Sequence, residues 1–473
     1  MNTKRWAVVL GPLMFVLVLS SGAAFGWTST QSSVLAASAW ILTWWISEAV
    51  PIAVTSLLPI VLFPVTGALD LKTVTALYGS HYVFLFLGGF LVAIALERVH
   101  LHKRLALLLL SKVGTQPSQI ILGFMVATAL LSMWISNTAT TLMMLPIALS
   151  VIRSVEGHHP HFTCALLLGT AYAANIGGMA TLVGTPPNIA MAGLLYEQQG
   201  VRIEFFEWML LSGPLALLLL GMTFFVLVKW LFPLKKISLD AGADWIDASL
   251  AKLGPWRPAE RRVLFVFASL AFAWMTRGIW NVHVGGGVSD TTLAIMAGIA
   301  LFLIPAKDQK VPERKLLEWE DAQRLPWNIL LLFGGGLALA AGLQEAGILT
   351  SLVDGLSGLG ALGGIGLLLV IVAMSLMLTE VMSNLALTVV MVPVVAVFAT
   401  ESGWLPWHFA IPITWASSCA FMLPMATPPN AIIFGSQAFK MSDMVRSGLV
   451  LNTLAIVLIV VWAHFVLPNF DFS

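Results

Sequence analysis

The chain has 473 residues, 59% of them hydrophobic and 10% charged, against about a quarter charged in soluble domains, which excludes an ordinary cytosolic enzyme. Its net charge of +1 leaves no electrostatic footprint for nucleic acid. Two cysteines, Cys164 and Cys419, sit in apolar segments without metal-ligand spacing, so neither a disulfide framework nor a zinc site is implied.

The charges that exist are bunched. No Asp, Glu, Lys or Arg lies between Arg5 and Glu48, Lys112 and Arg153, Glu156 and Glu197, or Glu401 and Lys440. A bilayer-spanning helix needs about 20 mostly apolar residues, and each gap holds one or two. The chain therefore reads as an all-α polytopic membrane protein. In chain order the predicted spans lie near 6–26, 34–47, 50–66, 81–97, 162–195, 207–229, 263–281, 290–306, 325–343, 408–437 and 447–467, eleven in all. The first has Lys4 and Arg5 before it and Ser21-Gly22-Ala23-Ala24 at its end, the outline of a signal peptide. An uncleaved first helix is expected instead, since a chain with many spans needs no removable one. The 18 Trp and 26 Phe against 4 Tyr suit lipid-facing and interfacial positions.

Segments 119–152 and 365–399 differ from the rest: each is two apolar pieces around Ser-Asn. The second piece of the first, Ala139 to Ile152, has 14 residues. As helix it covers about 21 Å, short of a hydrocarbon core of about 30 Å. Both segments are read as re-entrant hairpins.

The chain also contains itself twice. Ser136-Asn137-Thr138-Ala139-Thr140-Thr141-Leu142-Met143-Met144-Leu145-Pro146 aligns, 247 residues on, with Ser383-Asn384-Leu385-Ala386-Leu387-Thr388-Val389-Val390-Met391-Val392-Pro393, and six of eleven positions are identical. The same offset pairs Gly88-Gly89 with Gly335-Gly336. Gly184-Thr185-Pro186-Pro187-Asn188 matches Ala426-Thr427-Pro428-Pro429-Asn430 at an offset of 242. Three matches in the same order make a duplication.

Charge then orients the copies. After the first Gly-Gly helix come four Lys/Arg (Arg98, Lys103, Arg104, Lys112), while Gln344 to Gly363 after the second has none. Under the positive-inside rule the equivalent stretches lie on opposite faces, an inverted-topology repeat of the kind found in secondary transporters. Eleven spans with the N-terminus inside put 21 of 24 Lys/Arg in the cytoplasm and only Lys72, Arg202 and Arg277 outside. The predicted organisation is an N-terminal helix (1–33), a first repeat (34–233), a cytoplasmic connector (234–262) and a second repeat (263–473).

Polar residues at bilayer depth need a reason. Each proline of Pro186-Pro187 removes an N–H and clashes with the preceding turn, and non-helical backbone in a membrane is tolerated only inside protein or lining a cavity. Gly184 to Asn188 thus reads as a break between half-helices, and Ser136-Asn137-Thr138 as a hairpin tip. Helix N-termini with Asn/Thr donors suit an anion. Unwound carbonyls and hydroxyl oxygens suit a small hard cation. Two such pairs suggest one central anion flanked by cation sites. Glu380, just before the second motif, is the most notable intramembrane carboxylate, open to a role at a cation site, in proton carriage or in a salt bridge. His158, His159 and His161 read as a solvated loop. Gly88-Gly89 and Gly334-Gly335-Gly336 read as points of close helix approach.

At these residues the chain resembles the divalent anion:sodium symporter family, the INDY-like dicarboxylate transporters. The likeness runs nearly end to end, through FLGGFLVAIALERVHLHKR (86–104), WISNTAT, VGTPPN, RLPWNILLLFGGG and ATPPN. It implies a sodium-coupled carrier of a small C4-dicarboxylate (succinate, malate or fumarate) in the cell membrane, the inner membrane in a Gram-negative bacterium. It further implies a homodimer with scaffold and elevator-like transport domains, the transport parts being about 119–229 and 365–473. Sodium is co-transported, and no organic cofactor is implied.

Carried over by residue, the first sodium site uses Ser132, Ser136, Asn137 and Gly184. The second uses Thr379, Met382 (carbonyl), Asn384 and Ala426 (carbonyl). Substrate carboxylates are met by Ser136, Asn137, Thr138, Thr185, Pro187, Ser383, Asn384, Leu385, Thr427 and Pro429. The repeat agrees, since Ser132 and Thr379 share the offset and both offer a hydroxyl one turn before Ser-Asn. Leu385 departs from the family's Ser-Asn-Thr pattern and removes a hydroxyl donor, which a bound anion feels as about 1.5–3 kcal/mol. That keeps sulfate and tricarboxylates open beside dicarboxylates; sodium-independent dicarboxylate exchange is a separate alternative, against which Ser132 and Thr379 argue.

Overall fold

The computed structural model describes residues 2–114, 116–154, 159–234, 248–307, 314–351 and 363–472. These residues are helical, with no strand beyond one bridge between Pro305 and Lys315. Helix is what an apolar chain must form in lipid, because it satisfies every backbone N–H and C=O within the segment. Among the described residues seven helices are long and apolar enough to cross a membrane. The other expected spans are shorter, interrupted or, at Ser29–Ser47, less apolar.

The second helix, Ser29–Ser47, starts before the expected position 34 because Thr28 and Gln31 form a reciprocal capping box. It packs on Asn2–Ser21 at Gly11, where a Cβ would lie 2.5 Å from the Trp40 and Trp44 rings. The expected span 50–66 is divided into Ile52–Thr55 and Leu58–Thr66. Helices also form outside the expected spans, two of them before residue 111. Leu71–Tyr78 is capped by Asp70, whose carboxylate accepts from the Thr73 N–H at 2.9 Å. Leu101–Leu110 is amphipathic, and His102, Lys103 and Arg104 break the apolar run that marks a span.

The glycine pairs are points of close approach. A Cβ on Gly88 would sit 2.6 Å from the Ala294 carbonyl carbon, and one on Gly335 2.5 Å from the Ser56 carbonyl oxygen. At the end of His81–Arg98, Arg98 does not pair with its neighbour Glu97; it donates to Glu318 and Asp321, while Glu97 meets Arg324 at 3.3 Å. Arg104 and Glu260, both buried, lie 3.3 Å apart. Of the connector, residues 235–247 lie outside those described, as does His158. His161 places a ring nitrogen 3.2 Å from the Pro233 carbonyl oxygen.

Helix boundaries repeat along the chain. Asn137–Ser154 recurs 247 residues on as Asn384–Glu401, and Pro160–Met179 begins at the equivalent of Trp407–Ser417. The predicted spans 162–195 and 408–437 are both broken, the first between Met179 and Pro186, the second between Ser417 and Pro428. One expectation needs correction. The helix after the first Ser-Asn has 18 residues, not 14. It takes in Asn137 and Thr138 as its first turn and ends past Arg153, so it covers about 27 Å. Its counterpart Asn384–Glu401 is itself among the seven helices long enough to cross. Length alone therefore does not mark these segments as returning to the side they entered.

Candidate functional site

Two polar clusters form where Ser-Asn turns meet helix breaks. In the first, Pro117–Ser132 ends one turn before Asn137–Ser154 begins. The Ser132 hydroxyl donates to Asn137 Oδ1 at 2.6 Å, and Thr141 donates to the Asn137 carbonyl at 2.8 Å. Ser136 Oγ accepts from the Ala139 N–H at 3.2 Å, starting the helix. Gly178 presses on the Asn137 amide, since a Cβ there would fall 2.5 Å from Oδ1. Gly184 in turn abuts the Gly178 carbonyl, 2.4 Å from where its own Cβ would stand. Ser132, Ser136, Asn137 and Gly184 are thus drawn into one cluster, the last through Gly178.

The second cluster repeats this. Thr379 Oγ1 lies 2.6 Å from Asn384 Oδ1, and Thr388 donates to the Asn384 carbonyl at 2.9 Å. Thr379 also reaches the Ser417 carbonyl at 3.0 Å. Ala426 joins through Leu423, whose carbonyl accepts its N–H at 3.2 Å. Met382, half-buried, donates its N–H to the Leu378 carbonyl at 3.1 Å.

The asparagine that follows each Pro-Pro holds the break closed. Asn188 Nδ2 donates to the carbonyls of Gly178 and Thr181 at 3.2 and 2.8 Å. Asn430 Nδ2 donates to those of Ala420 and Leu423 at 3.0 and 3.1 Å. Sequence reading quoted both asparagines inside the motifs without giving them this work, although their common offset of 242 was the available signal. It also missed Asn175, whose amide donates to Thr427 Oγ1 at 3.1 Å and so links the two repeats. The repeats interlock further: Pro428–Phe434 packs on Asn137–Ser154, and Pro186–Gln199 on Asn384–Glu401.

Exposure sorts the remaining candidates. Ser136 is exposed; Asn137, Thr138, Ser383 and Asn384 are half-buried; Thr185 and Thr427 are buried. Pro187 and Pro429 are buried, and the more accessible prolines are Pro186 and Pro428. Leu385, where Thr138 stands in the first repeat, is 6% exposed and belongs to the apolar core. A cavity of about 310 Å³ bordered by Leu96, His102, Leu109, Leu131, Trp134 and Phe267 is apolar, and none of the candidate ion or substrate residues lines it.

The donor set fits a small hard cation: hydroxyl, amide and backbone oxygens, all neutral. Buried oxygens are also in surplus. Asn188 Oδ1, Asn430 Oδ1, Thr140 Oγ1 and Ser418 Oγ have no hydrogen-bond partner among the described residues, a costly state for a dry interior. Cys164 and Cys419 are buried free thiols, and Cys164 Sγ lies 3.9 Å from Asp443 Oδ2.

A profile of the family described as the sodium:sulfate symporter transmembrane region matches residues 2–467. The sodium-dependent dicarboxylate transporter SdcS of Staphylococcus saprophyticus is 40% identical over 472 residues, covering 98% of this chain and 91% of that protein. The SdcS protein of Staphylococcus aureus strain USA300 is 40% identical over 478 residues, with the same coverage. Among solved structures, the YdaH transporter of Alcanivorax borkumensis shares the fold with a TM-score of 0.56 at 12% identity, over 85% of this chain and 89% of that one.

Proposed function

The chain belongs to the sodium:sulfate symporter family, and from that premise we propose that it couples sodium entry to uptake of a small C4-dicarboxylate by elevator-type alternating access. It is a multi-pass membrane transporter, not an enzyme, and the cell membrane is its place. The substrates in view are succinate, malate and fumarate. The observation that carries the reading is the matched pair of hydroxyl–amide contacts, Ser132 with Asn137 and Thr379 with Asn384, each at 2.6 Å. Two equivalent neutral oxygen clusters suit two equivalent cations.

In this reading Ser132, Ser136, Asn137 and the Gly184 carbonyl hold one sodium ion. Thr379, Asn384 and the carbonyls of Met382 and Ala426 hold the other. The substrate carboxylates lie against Ser136, Asn137, Thr138 and Thr185 on one side, and Ser383, Asn384, Thr427 and the Pro-Pro turns on the other. Helices Asn137–Ser154 and Asn384–Glu401 turn their N-termini to the dianion, where the partial positive charge favours it. The hydrogen bonds within both clusters involve no Lys or Arg, so sodium supplies the neutralising charge. That makes anion and cation binding mutually dependent, the physical basis of coupling. The driving force is about 2.3 kcal/mol per net charge per 100 mV, plus the sodium gradient.

The mechanical part of the proposal is a homodimer. Each protomer has a scaffold and a moving part built from about 119–229 and 365–473, with the Ser-Asn segments as re-entrant hairpins of an inverted repeat whose N-terminus is cytoplasmic.

The test is labelled succinate uptake into proteoliposomes, with an inward sodium gradient against potassium or choline and with or without succinate inside. Sodium-dependent uptake into empty vesicles is expected. Uptake only into preloaded vesicles, indifferent to sodium, makes the protein an exchanger and reduces Ser132 and Thr379 to structural hydroxyls. Competition by sulfate or citrate in the same assay sets the substrate class.

A further inference from the structure

We infer that Glu380 is a positioning residue for the second cation site, holding the unwound segment after Ser417 in place and setting a negative charge behind the ion. The inference rests on the sodium-coupled reading above. Glu380 is 4% exposed and stands between Thr379 and the Ser383-Asn384 tip. Its Oε1 accepts from the N–H groups of Phe421 and Met422, both at 2.9 Å, and from Asn452 Nδ2 at 2.6 Å. Its Oε2 accepts from the Leu423 N–H at 3.0 Å. All four donors are amides, three from the segment the carboxylate organises and one, Asn452, from the helix Met441–Phe465.

Thr379 and Glu380, adjacent in sequence, grip both ends of residues 417–423: the hydroxyl takes the Ser417 carbonyl and the carboxylate takes three successive N–H groups. The outward carbonyls of the same segment are held separately. Tyr172 donates to that of Phe421 at 2.8 Å, and Asn430 to those of Ala420 and Leu423. Leu423 then accepts from Ala426, whose own carbonyl is a proposed ligand. From Glu380 to that ligand the path is one hydrogen bond and three residues of chain.

The first repeat does this differently. At the offset of 247 the equivalent of Glu380 is Met133. There the junction is closed by the Thr181 hydroxyl donating to the Met133 carbonyl at 2.5 Å, with no charge. The two cation clusters therefore share their first contacts but not their backing. Hydrogen bonds to an ionised acceptor are about twice as strong as neutral ones, and a fixed carboxylate in a low-dielectric site favours a nearby cation. The second site is thereby made the tighter and more rigid of the two.

The experiment measures sodium binding two ways in wild type, Glu380→Gln and Asn452→Leu. One readout is the sodium-dependent rise in melting temperature of purified protein without substrate. The other is the sodium dependence of succinate uptake in proteoliposomes. Glu380→Gln keeps the size but removes the charge and turns an amide N–H toward a backbone N–H. It is expected to raise the half-saturating sodium concentration at least fivefold in both readouts, with succinate KM at saturating sodium within twofold of wild type. Asn452→Leu removes one of four donors and is expected to raise it two- to threefold. A wild-type sodium curve for folded Glu380→Gln overturns the inference. If that variant does not fold, an unchanged sodium midpoint in Asn452→Leu overturns it instead. Wild type with no response to sodium in either readout removes the symport reading itself, a distinct result.

Discussion

The hydroxyl of Ser132 stands 2.6 Å from Asn137 Oδ1, bridging the end of one helix and the start of the next. Thr379 and Asn384 repeat that contact at the same distance. Two sequence positions five residues apart are thus joined across a non-helical turn in both halves of the chain. The contact orients each asparagine oxygen before any ion arrives.

Asn137→Ala and Asn384→Ala should each abolish sodium-driven uptake, because each side chain serves ion and substrate together in the proposed reading. Ser132→Ala and Thr379→Ala should be milder, weakening sodium binding about tenfold for the loss of one oriented ligand, or about 1.4 kcal/mol. Labelled uptake over a sodium titration checks both. Normal uptake by either asparagine variant would sink the assignment.

Gly178→Ala should act on sodium without replacing a ligand. Its Cβ would lie 2.5 Å from Asn137 Oδ1 and must push that amide aside. A raised half-saturating sodium concentration is expected, whereas Gly221→Ala, with nothing within 4 Å of its Cβ, should match wild type. Equal behaviour of the two variants would remove Gly178 from the site.

Leu385→Thr tests what the departure from Ser-Asn-Thr means. Because Leu385 packs in the apolar core, the new hydroxyl should cost about 1–3 kcal/mol unless it finds a partner. A lower melting temperature with unchanged succinate KM is expected. A tighter KM would show instead that this position faces the substrate.

Asn188→Leu and Asn430→Leu should each destabilise the fold by about 1–3 kcal/mol, since each removes two hydrogen bonds to buried carbonyls, of which Thr181 and Leu423 keep only a second, longer bond from Gly184 and Ala426. Thermal unfolding in detergent reads this directly. An unaltered melting temperature would mean water replaces the amide and the breaks are not dry.

Much of the architecture was readable in one dimension because membrane physics leaves few options. Uncharged stretches near Pro160–Met179, Phe205–Phe225 and Met441–Phe465 became helices where expected, and the Pro-Pro pairs broke helices where a missing N–H demands it. Composition alone could not place Leu101–Leu110, whose stability comes from laying an apolar face on its neighbours. Nor could it end the helix at Ser154 rather than Ile152, since polar residues in a first or last turn do not interrupt an apolar pattern.

The site divides the same way. The family resemblance marked Ser132, Asn137, Thr379 and Asn384 as candidates, and the fixed offset of a duplicated chain paired them. The tertiary structure decided the rest: that Asn175 reaches Thr427 in the other repeat, that Leu385 lies in the core, and that Glu380 is held by Asn452 and three backbone N–H groups. Periodicity and offset are properties of a line, and they report what neighbours along it share. Which donor meets a buried carboxylate 41 to 72 residues away depends on how the helices pack, and only the folded chain brings those atoms within 3 Å of one another.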